Sequence, residues 1–431
     1  MKASTNLLSK RRFLPLFATQ FLGAFNDNLF KTAMVILVTY HIYSDPTQEA
    51  TFNALAGAIF ILPFFLLSAL SGQLADSTDK ARIIRIVKTA EIFIMVAGAA
   101  GLLLHNIPLM LLALFAMGVH STFFGPIKYA ILPQHLEKDE VLGGTGLVEA
   151  GTYGAILLGT IAGGLIPSQW AAAAVLIVAG IGRLTGGKVP PAPPESDAPV
   201  LKMDWHIVRS SITLVSATLH IPRLFLAIAS ISFFWAQGAI LAAQFPPLVK
   251  NVLHANEQVA TLFLAIFSIG VALGSIVINR LLAGRVLAVY SPAAAIAMGL
   301  FVLHLYWNTL GWPAPAGELM DLDTFVRIGQ AEWIMFDLFG VAVAGGMFVV
   351  PLYAFLTTTV HKSETARTVA ANNIVNSGAM VLAAILLTLL VQIGVSVEGT
   401  LLLVAVASIG AAWIARKLHL ACDDGKCGPV S

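Results

Sequence analysis

Twelve long apolar segments separated by short polar turns leave this chain little choice of fold. They run over 13–40, 52–74, 83–104, 107–132, 141–166, 170–185, 223–249, 258–283, 288–310, 333–360, 367–394 and 397–419. About 20 apolar residues wound as a helix span the roughly 30 Å of bilayer hydrocarbon. In that medium each backbone N–H and C=O needs a partner within the protein. The runs are continuous and do not alternate, so helices are predicted and not barrel strands. The sixth segment is short, and the fourth and fifth are poorly separated. Hydrophobic residues are 58% of the chain and charged residues 11%, against about 25% charged in soluble domains. The 36 glycines suit helices that approach closely in lipid.

Basic residues set the expected topology. With Lys10, Arg11 and Arg12 in the cytoplasm, five connections fall on the same side. They carry Lys80, Arg82, Arg85 and Lys88; Lys138; Arg183, Lys188, Lys202, Arg209 and Arg223; Arg280 and Arg285; Lys362 and Arg367. Only Lys250 and Arg327 fall outside. This asymmetry predicts both termini in the cytoplasm. No cleavable signal peptide is expected, because the first apolar run is too long and lacks a small-residue cleavage site. The longest connection divides the chain into an expected N-terminal bundle at 1–185, a linker at 186–220, and a C-terminal bundle and tail at 221–431. Pro190, Pro191, Pro193 and Pro194 predict an extended spacer. Beyond them Trp205, Val208, Ile212 and Val215 share a helical face, which fits either a helix in the membrane interface or one packed on the bundle.

The first segment holds Asn26, Asp27, Asn28 and Lys31 where hydrocarbon is expected. A charge at helix mid-depth costs about 2.5–3.5 kcal/mol on insertion scales, so such groups mark an ion or substrate pathway. Asp27 and Lys31 are four residues apart, on the face that also carries Gln20 and Gly23. They either neutralise each other or line a cavity and meet a polar headgroup. Glu149 lies well inside the fifth segment, as a proton-binding carboxylate or a headgroup ligand. Glu91 in the third is expected nearer the interface. Lys128, beside Tyr129, either snorkels or faces inward. Asn372 and Asn376 are one turn apart on the eleventh segment, as interhelical contacts or substrate contacts. The acidic insert from Trp312 to Glu332 reads as a solvated loop.

The connection after the second segment carries Gly72, Asp76, Lys80 and Arg82, and a weaker echo half a chain later carries Gly274, Arg280 and Arg285. Duplicated six-helix halves would produce this repeat. The glycine permits close helix approach, while acid and bases form a breakable latch. A charged turn obeying only the positive-inside bias is the other reading. The first loop resembles the Gly-x-Leu-Ala-Asp-x-x-Gly-Arg-Arg loop of the major facilitator superfamily, with Asp79 and Ala81 departing from it. The fold class expected is all-α: a polytopic membrane protein of twelve helices in two six-helix pseudo-repeat bundles.

The runs Gln20 to Asn28, Gly125 to Tyr129 and Gly146 to Ala150 resemble the lysophospholipid transporter branch of that superfamily. Phe233-Phe234-Trp235 followed by Gln244-Phe245-Pro246 is similar to the transporter domain of its fusions with acyltransferase modules. The standalone members carry an arginine near Gln244, where this chain has Ala242 and Ala243. The resemblance implies inward flipping of a lysophosphatidylethanolamine-like lipid across the bacterial inner membrane, for reacylation. It implies membrane lipids and an acyltransferase as partners, and no nucleic acid. Asp27, Asn26, Asn28, Lys31, Lys128, Tyr129, Glu149, Gln244, Asn372 and Asn376 are the expected substrate contacts. Gly72, Asp76, Lys80, Arg82, Arg280 and Arg285 are the expected gating residues.

Other functions stay open. A proton-coupled exporter of amphipathic small molecules would use Glu149 or Asp27 as its proton site, and a scaffold would hand lipid to a separate acyltransferase. An enzyme is not expected, because no acyltransferase His-x4-Asp, Gly-x-Ser-x-Gly elbow or phosphate loop is present. No cofactor or metal is expected, and Cys422 and Cys427 match no strong ligand spacing.

Overall fold

The structure is a computed structural model describing residues 6–137, 140–194, 204–282, 287–313, 317–358 and 365–422. Among these residues, twelve α-helices have 20 residues or more. They are α1 Leu14–Leu37, α2 Pro46–Ser77, α3 Lys80–Leu103, α4 Ile107–Ala130, α5 Val141–Leu165, α6 Ser168–Gly187, α7 Pro222–Pro247, α8 Glu257–Leu282, α9 Ser291–Leu310, α10 Gly329–Thr358, α11 Thr365–Gln392 and α12 Val397–Cys422. Eleven of them are long and apolar enough to cross a membrane, and the shorter apolar stretch described in α5 is Ala150–Leu165. Both α1 and α7 run on into a five-residue π-helical turn, Val38–Ile42 and Leu248–Val252, so the first and seventh helices end alike.

Several helices extend further than expected. Helix α2 reaches Ser77, so Gly72 and Asp76 sit on its last turns and not in a loop. Helix α8 likewise reaches Leu282 and takes in Gly274 and Arg280. Helix α3 starts at Lys80, which moves Lys88 out of the loop and into the helix body.

The residues fall into two compact units, 1–37 with 66–210, and 38–65 with 211–431. In the first unit, α1 packs on α5 through glycines. A Cβ at Gly159 would lie 2.4 Å from the Phe25 carbonyl, and one at Gly163 would lie 2.5 Å from that of Leu29. Small residues permit this approach, which van der Waals contact then rewards in lipid. Helix α3 is started by Asp79, whose side chain accepts from the Ala81 N–H at 3.0 Å, satisfying one of the orphan donors of a helix N-terminus. The same oxygen accepts from the Ala192 N–H at 2.9 Å, and the Lys80 N–H donates to the Ala192 carbonyl at 3.0 Å. Gln134 and His135 reach the Pro193 and Pro191 carbonyls. The proline segment is therefore docked, with Val189 and Ala192 buried.

In the second unit Leu224, Ala227, Ile228, Ile231 and Phe234 form one helical stripe of α7, set against Phe348, Leu352 and Phe355 of α10 and Ala411, Ala415 and Leu418 of α12. Gly274 of α8 and Gly346 of α10 let those two backbones touch, with Cβ positions 2.1 Å from the Val343 carbonyl and 2.4 Å from that of Val271. The insert between α9 and α10 is packed and not merely solvated. Trp312 Nε1 donates to the Leu253 carbonyl at 2.9 Å, and Asp321 caps the short helix Leu322–Val326, whose Phe325 is fully buried.

Large apolar side chains such as Phe93, Trp170, Ile393 and Trp413 are exposed, the expected face for hydrocarbon. Trp205, Val208 and Ile212 are exposed too, flanking or lying on the helix Ile207–Leu219. That face is not packed on the bundle, which favours the membrane-interface reading.

Candidate functional site

The polar residues of α1 open onto a connected set of ionisable groups inside the first unit. Lys88 and Glu91 of α3 are 0% and 1% exposed, and Lys88 Nζ contacts Glu91 Oε2 at 2.6 Å. A lysine fits here because its neighbours lack side chains. A Cβ at Gly23 would lie 2.6 Å from Nζ, and Gly182 and Gly186 of α6 line the rest of the slot. The ammonium also lies 5.2 Å from the Phe124 ring centroid, a favourable cation–π distance. Glu91 is thus central to α3 and not near the interface, because Lys88 and Asn26 supply what water would. Asn26 Nδ2 donates to Glu91 Oε1 at 3.0 Å and to the Val175 carbonyl at 3.3 Å.

His120 of α4 joins this acid to Asp27. Its Nε2 is 3.5 Å from Glu91 Oε2, and its Nδ1 is 3.4 Å from Ser121 Oγ. Ser121 Oγ donates to Asp27 Oδ2 at 2.5 Å. The other carboxylate oxygen, Asp27 Oδ1, is buried without a hydrogen-bond partner, as are Gln20 Nε2, Asn26 Oδ1 and His120 Nε2. Buried polar atoms are rarely left so, and a cluster of them marks a place for a polar ligand or water.

Lys128 turns inward and does not snorkel. Its Nζ donates to Thr152 Oγ1 at 3.3 Å, and Thr152 Oγ1 donates to Gln20 Oε1 at 2.8 Å, tying α4, α5 and α1 together. Asn28 Nδ2 donates to the Ala24 carbonyl of its own helix. Lys31 lies half-buried one turn beyond Asp27. The side chains of Tyr129, Glu149 and Asp76, and all of Arg285, lie outside the described residues.

In the second unit the three expected amides separate. Gln244 and Asn372 are fully buried, and neither amide oxygen nor nitrogen has a partner in either residue. Asn376 is engaged, accepting from Ser232 Oγ at 2.7 Å and donating to Tyr353 Oη at 3.3 Å, which makes it an interhelical contact.

The gating candidates differ in exposure. Lys80 is buried, whereas Arg82 and Arg280 are exposed. A Cβ at Gly72 would meet nothing within 4 Å, so close approach is not what this glycine supplies. Asp79 bonds across the connection, accepting from the Ala192 N–H. Near the N-terminus, Lys10 and Arg12 both pair with Glu140. The hydrogen bond from Lys10, aided by the Glu137 N–H, holds the Glu140 carboxyl below the usual carboxylate range.

Sequence reasoning missed Lys88, His120 and Ser121. Their signal was present: a Lys-x-x-Glu pair within one apolar segment, and a His-Ser pair in the middle of another. Among the described residues, no group of three or more His, Cys, Asp or Glu could hold a metal ion. The constellation suits holding and releasing charge inside a membrane protein.

Comparisons with known proteins agree with this geometry. The chain is 27% identical over 428 residues to the lysophospholipid transporter LplT of Citrobacter koseri, covering 97% of this chain and 98% of that protein. It is 26% identical over 400 residues to LplT of Salmonella newport, covering 92% of each. Among solved structures it resembles an auto-inhibited POT family peptide transporter with a TM-score of 0.71 at 11% identity, covering 95% of this chain and 96% of that one. It also resembles a D-xylose–proton symporter with a TM-score of 0.70 at 11% identity, covering 95% and 97%. The likenesses to solved structures show the fold. The model of the Major Facilitator Superfamily matches residues 16–384, and with that span, this helix order and these buried charges, the chain belongs to the Major Facilitator Superfamily.

Proposed function

We propose that this transporter carries lysophospholipids across the bacterial inner membrane toward the cytoplasm by alternating access, for reacylation there by an acyltransferase. The observation that carries the reading is Asp27, a carboxylate in the middle of α1 with Oδ2 held by Ser121 and Oδ1 buried without a partner. A headgroup ammonium fits that free oxygen, and Lys31, one turn away, suits the phosphate. Lys128 offers a polar contact in the first unit, the unmatched amides Gln244 and Asn372 offer others in the second, and Asn26, Asn28, Tyr129, Glu149 and Asn376 complete the proposed set. An acyl chain needs only the apolar surroundings these helices provide. The relatives named lysophospholipid transporters, alike along nearly the whole chain, support the same substrate class.

In this reading the chain forms two six-helix halves, 1–185 and 221–431, joined by 186–220, with both termini in the cytoplasm. Gly72, Asp76, Lys80, Arg82, Arg280 and Arg285 are the proposed gating residues, exchanging partners during the cycle. The test is movement of labelled lysophosphatidylethanolamine across liposomes holding only this protein, with and without a proton or sodium gradient. Movement is expected without a gradient, and none under any condition would overturn the proposal.

A further inference from the structure

The imidazole of His120 stands between the Glu91 carboxylate, at Nε2, and the Ser121 hydroxyl, at Nδ1, which in turn bonds Asp27. Nε2 faces Glu91 Oε2 at 3.5 Å, and Nδ1 faces Ser121 Oγ at 3.4 Å, whose hydroxyl is committed as a donor to Asp27 at 2.5 Å. Because Ser121 gives its proton to Asp27, it can only accept from Nδ1, so Nδ1 carries a hydrogen. A neutral ring would then aim the Nε2 lone pair at the Glu91 carboxylate. A protonated ring presents N–H to both sides.

Charge counting shows what a proton on the ring would balance. The groups facing His120 are Asp27 and, one turn on, Lys31 from α1, and Lys88 and Glu91 from α3. On its own helix lie Ser121 and Phe124, the latter stacked 6.4 Å away. The α6 face brings Gly182, Gly186 and the Val175 carbonyl, and none of these carries a charge, to the Lys88–Glu91 pair and its partner Asn26. Lys88 and Glu91 cancel, a protonated His120 cancels Asp27, and Lys31 is left for the headgroup phosphate. If a headgroup ammonium takes Asp27 Oδ1 while its phosphate meets Lys31, the Asp27 carboxylate is cancelled twice, and the set comes into balance when the ring gives up one proton to solution. Inside low dielectric, uncompensated charge is costly, and imidazole is the side chain that changes charge most readily near neutrality. A metal cation does not fit this role, because the Lys88 ammonium already occupies Glu91.

We propose that His120 is a proton-binding site coupled to Asp27: binding of a headgroup ammonium at Asp27 releases a proton from His120, and the ligand's departure takes one back. The inference rests on the proposed headgroup role of Asp27. By linkage, proton and lysolipid then oppose each other's binding by the same factor, which makes the protein responsive to a proton gradient.

The experiment is proton release from the purified full chain in weakly buffered detergent at about pH 6.5, where imidazole titrates, on addition of lysophosphatidylethanolamine, with binding followed separately by tryptophan fluorescence. The wild type is expected to release a substantial fraction of one proton per lipid bound. His120→Gln is expected to bind the lipid and release almost none. Ser121→Ala, which keeps the imidazole but cuts its link to Asp27, is expected to release less than the wild type, and it serves as the test if the first variant fails to fold. Binding with no release by the wild type, or undiminished release by the variants, overturns the coupling and leaves the transport reading intact. Absence of lipid binding by the wild type overturns both.

Discussion

Lys250 uses all three of its ammonium hydrogens on one small region of the second unit: Glu49 Oε1 at 2.6 Å and the carbonyls of Thr39 and Tyr43 at 2.5 and 3.0 Å. Asn251 Nδ2 meets the other Glu49 oxygen at 2.7 Å, and Glu49 is fully buried. Residues about 200 positions apart are thereby knotted within the second unit, where the π-helical turn Leu248–Val252 meets the segment from Thr39 to Glu49. Removing one partner of such a pair strands the other, at about 3–5 kcal/mol. Lys250→Ala is expected to lower the thermal unfolding midpoint clearly. Glu49→Ala with Lys250→Ala is expected to cost less than the two single changes added, by about 0.5–3 kcal/mol. Additive losses would show that the pair is not a unit.

The knot also explains where the sequence could be read and where it could not. Lys250 stood out as a basic residue on the wrong side of the membrane, but its partner Glu49 is 201 residues away and nothing local connects them. Asp27 was legible because a lone acid in an apolar helix violates a strong solvation rule. Lys88 was hidden because the positive-inside pattern absorbed it as a loop residue, and only the true start of α3 at Lys80 puts it about two turns into the helix. His120 drew no attention because its meaning depends on Glu91 and Ser121 meeting it from both sides. Helix number followed from hydrophobic length, but which glycines touch which backbone did not.

Gly159 provides one such contact. Alanine there would place Cβ 2.4 Å from the Phe25 carbonyl and 3.1 Å from Asn28 Cβ, atoms of a helix that cannot yield without moving. Overpacking of this kind costs about 1–3 kcal/mol, so Gly159→Ala is expected to lower the thermal midpoint. Gly180→Ala, whose Cβ would meet nothing within 4 Å, is the matched control and is expected to change it little. Equal midpoints for the two variants would remove close α1–α5 contact as a determinant of stability.

Glu140 predicts a pH effect at the N-terminal segment. Its carboxyl is held below its usual range in the folded state by Lys10, the Glu137 N–H and Arg12. A depressed folded-state value means that the stabilisation is fully present above the unfolded value and disappears as pH falls through the folded one. Protease cleavage near Lys10–Arg12 is therefore expected to stay slow through neutral and mildly acidic pH, and to rise only below the ordinary carboxylate range. In Glu140→Gln the segment is expected to be cleaved faster at neutral pH, with no further acid-dependent step from this residue. Unchanged cleavage in that variant would assign the segment's order to Phe13 and Leu16 packing instead.

Asp27 separates charge recognition from shape. Asp27→Ala removes both the acceptor of the Ser121 hydroxyl and the anion offered by Oδ1. Asp27→Asn keeps the size and can still accept from Ser121, but offers an ammonium no charge. If the headgroup amine is held by charge, both variants should lose lysolipid uptake by about tenfold or more, the equivalent of at least 1.4 kcal/mol, at unchanged amounts of folded protein. If Asp27 only braces α1 against α4 through Ser121, Asp27→Asn should transport nearly as well as the wild type. Uptake of a labelled lysophosphatidylethanolamine and of a lysophosphatidylglycerol lacking the amine decides between them. A charge role predicts that the first lipid suffers more than the second, because only the ethanolamine headgroup carries the cation that the buried oxygen of Asp27 is placed to receive.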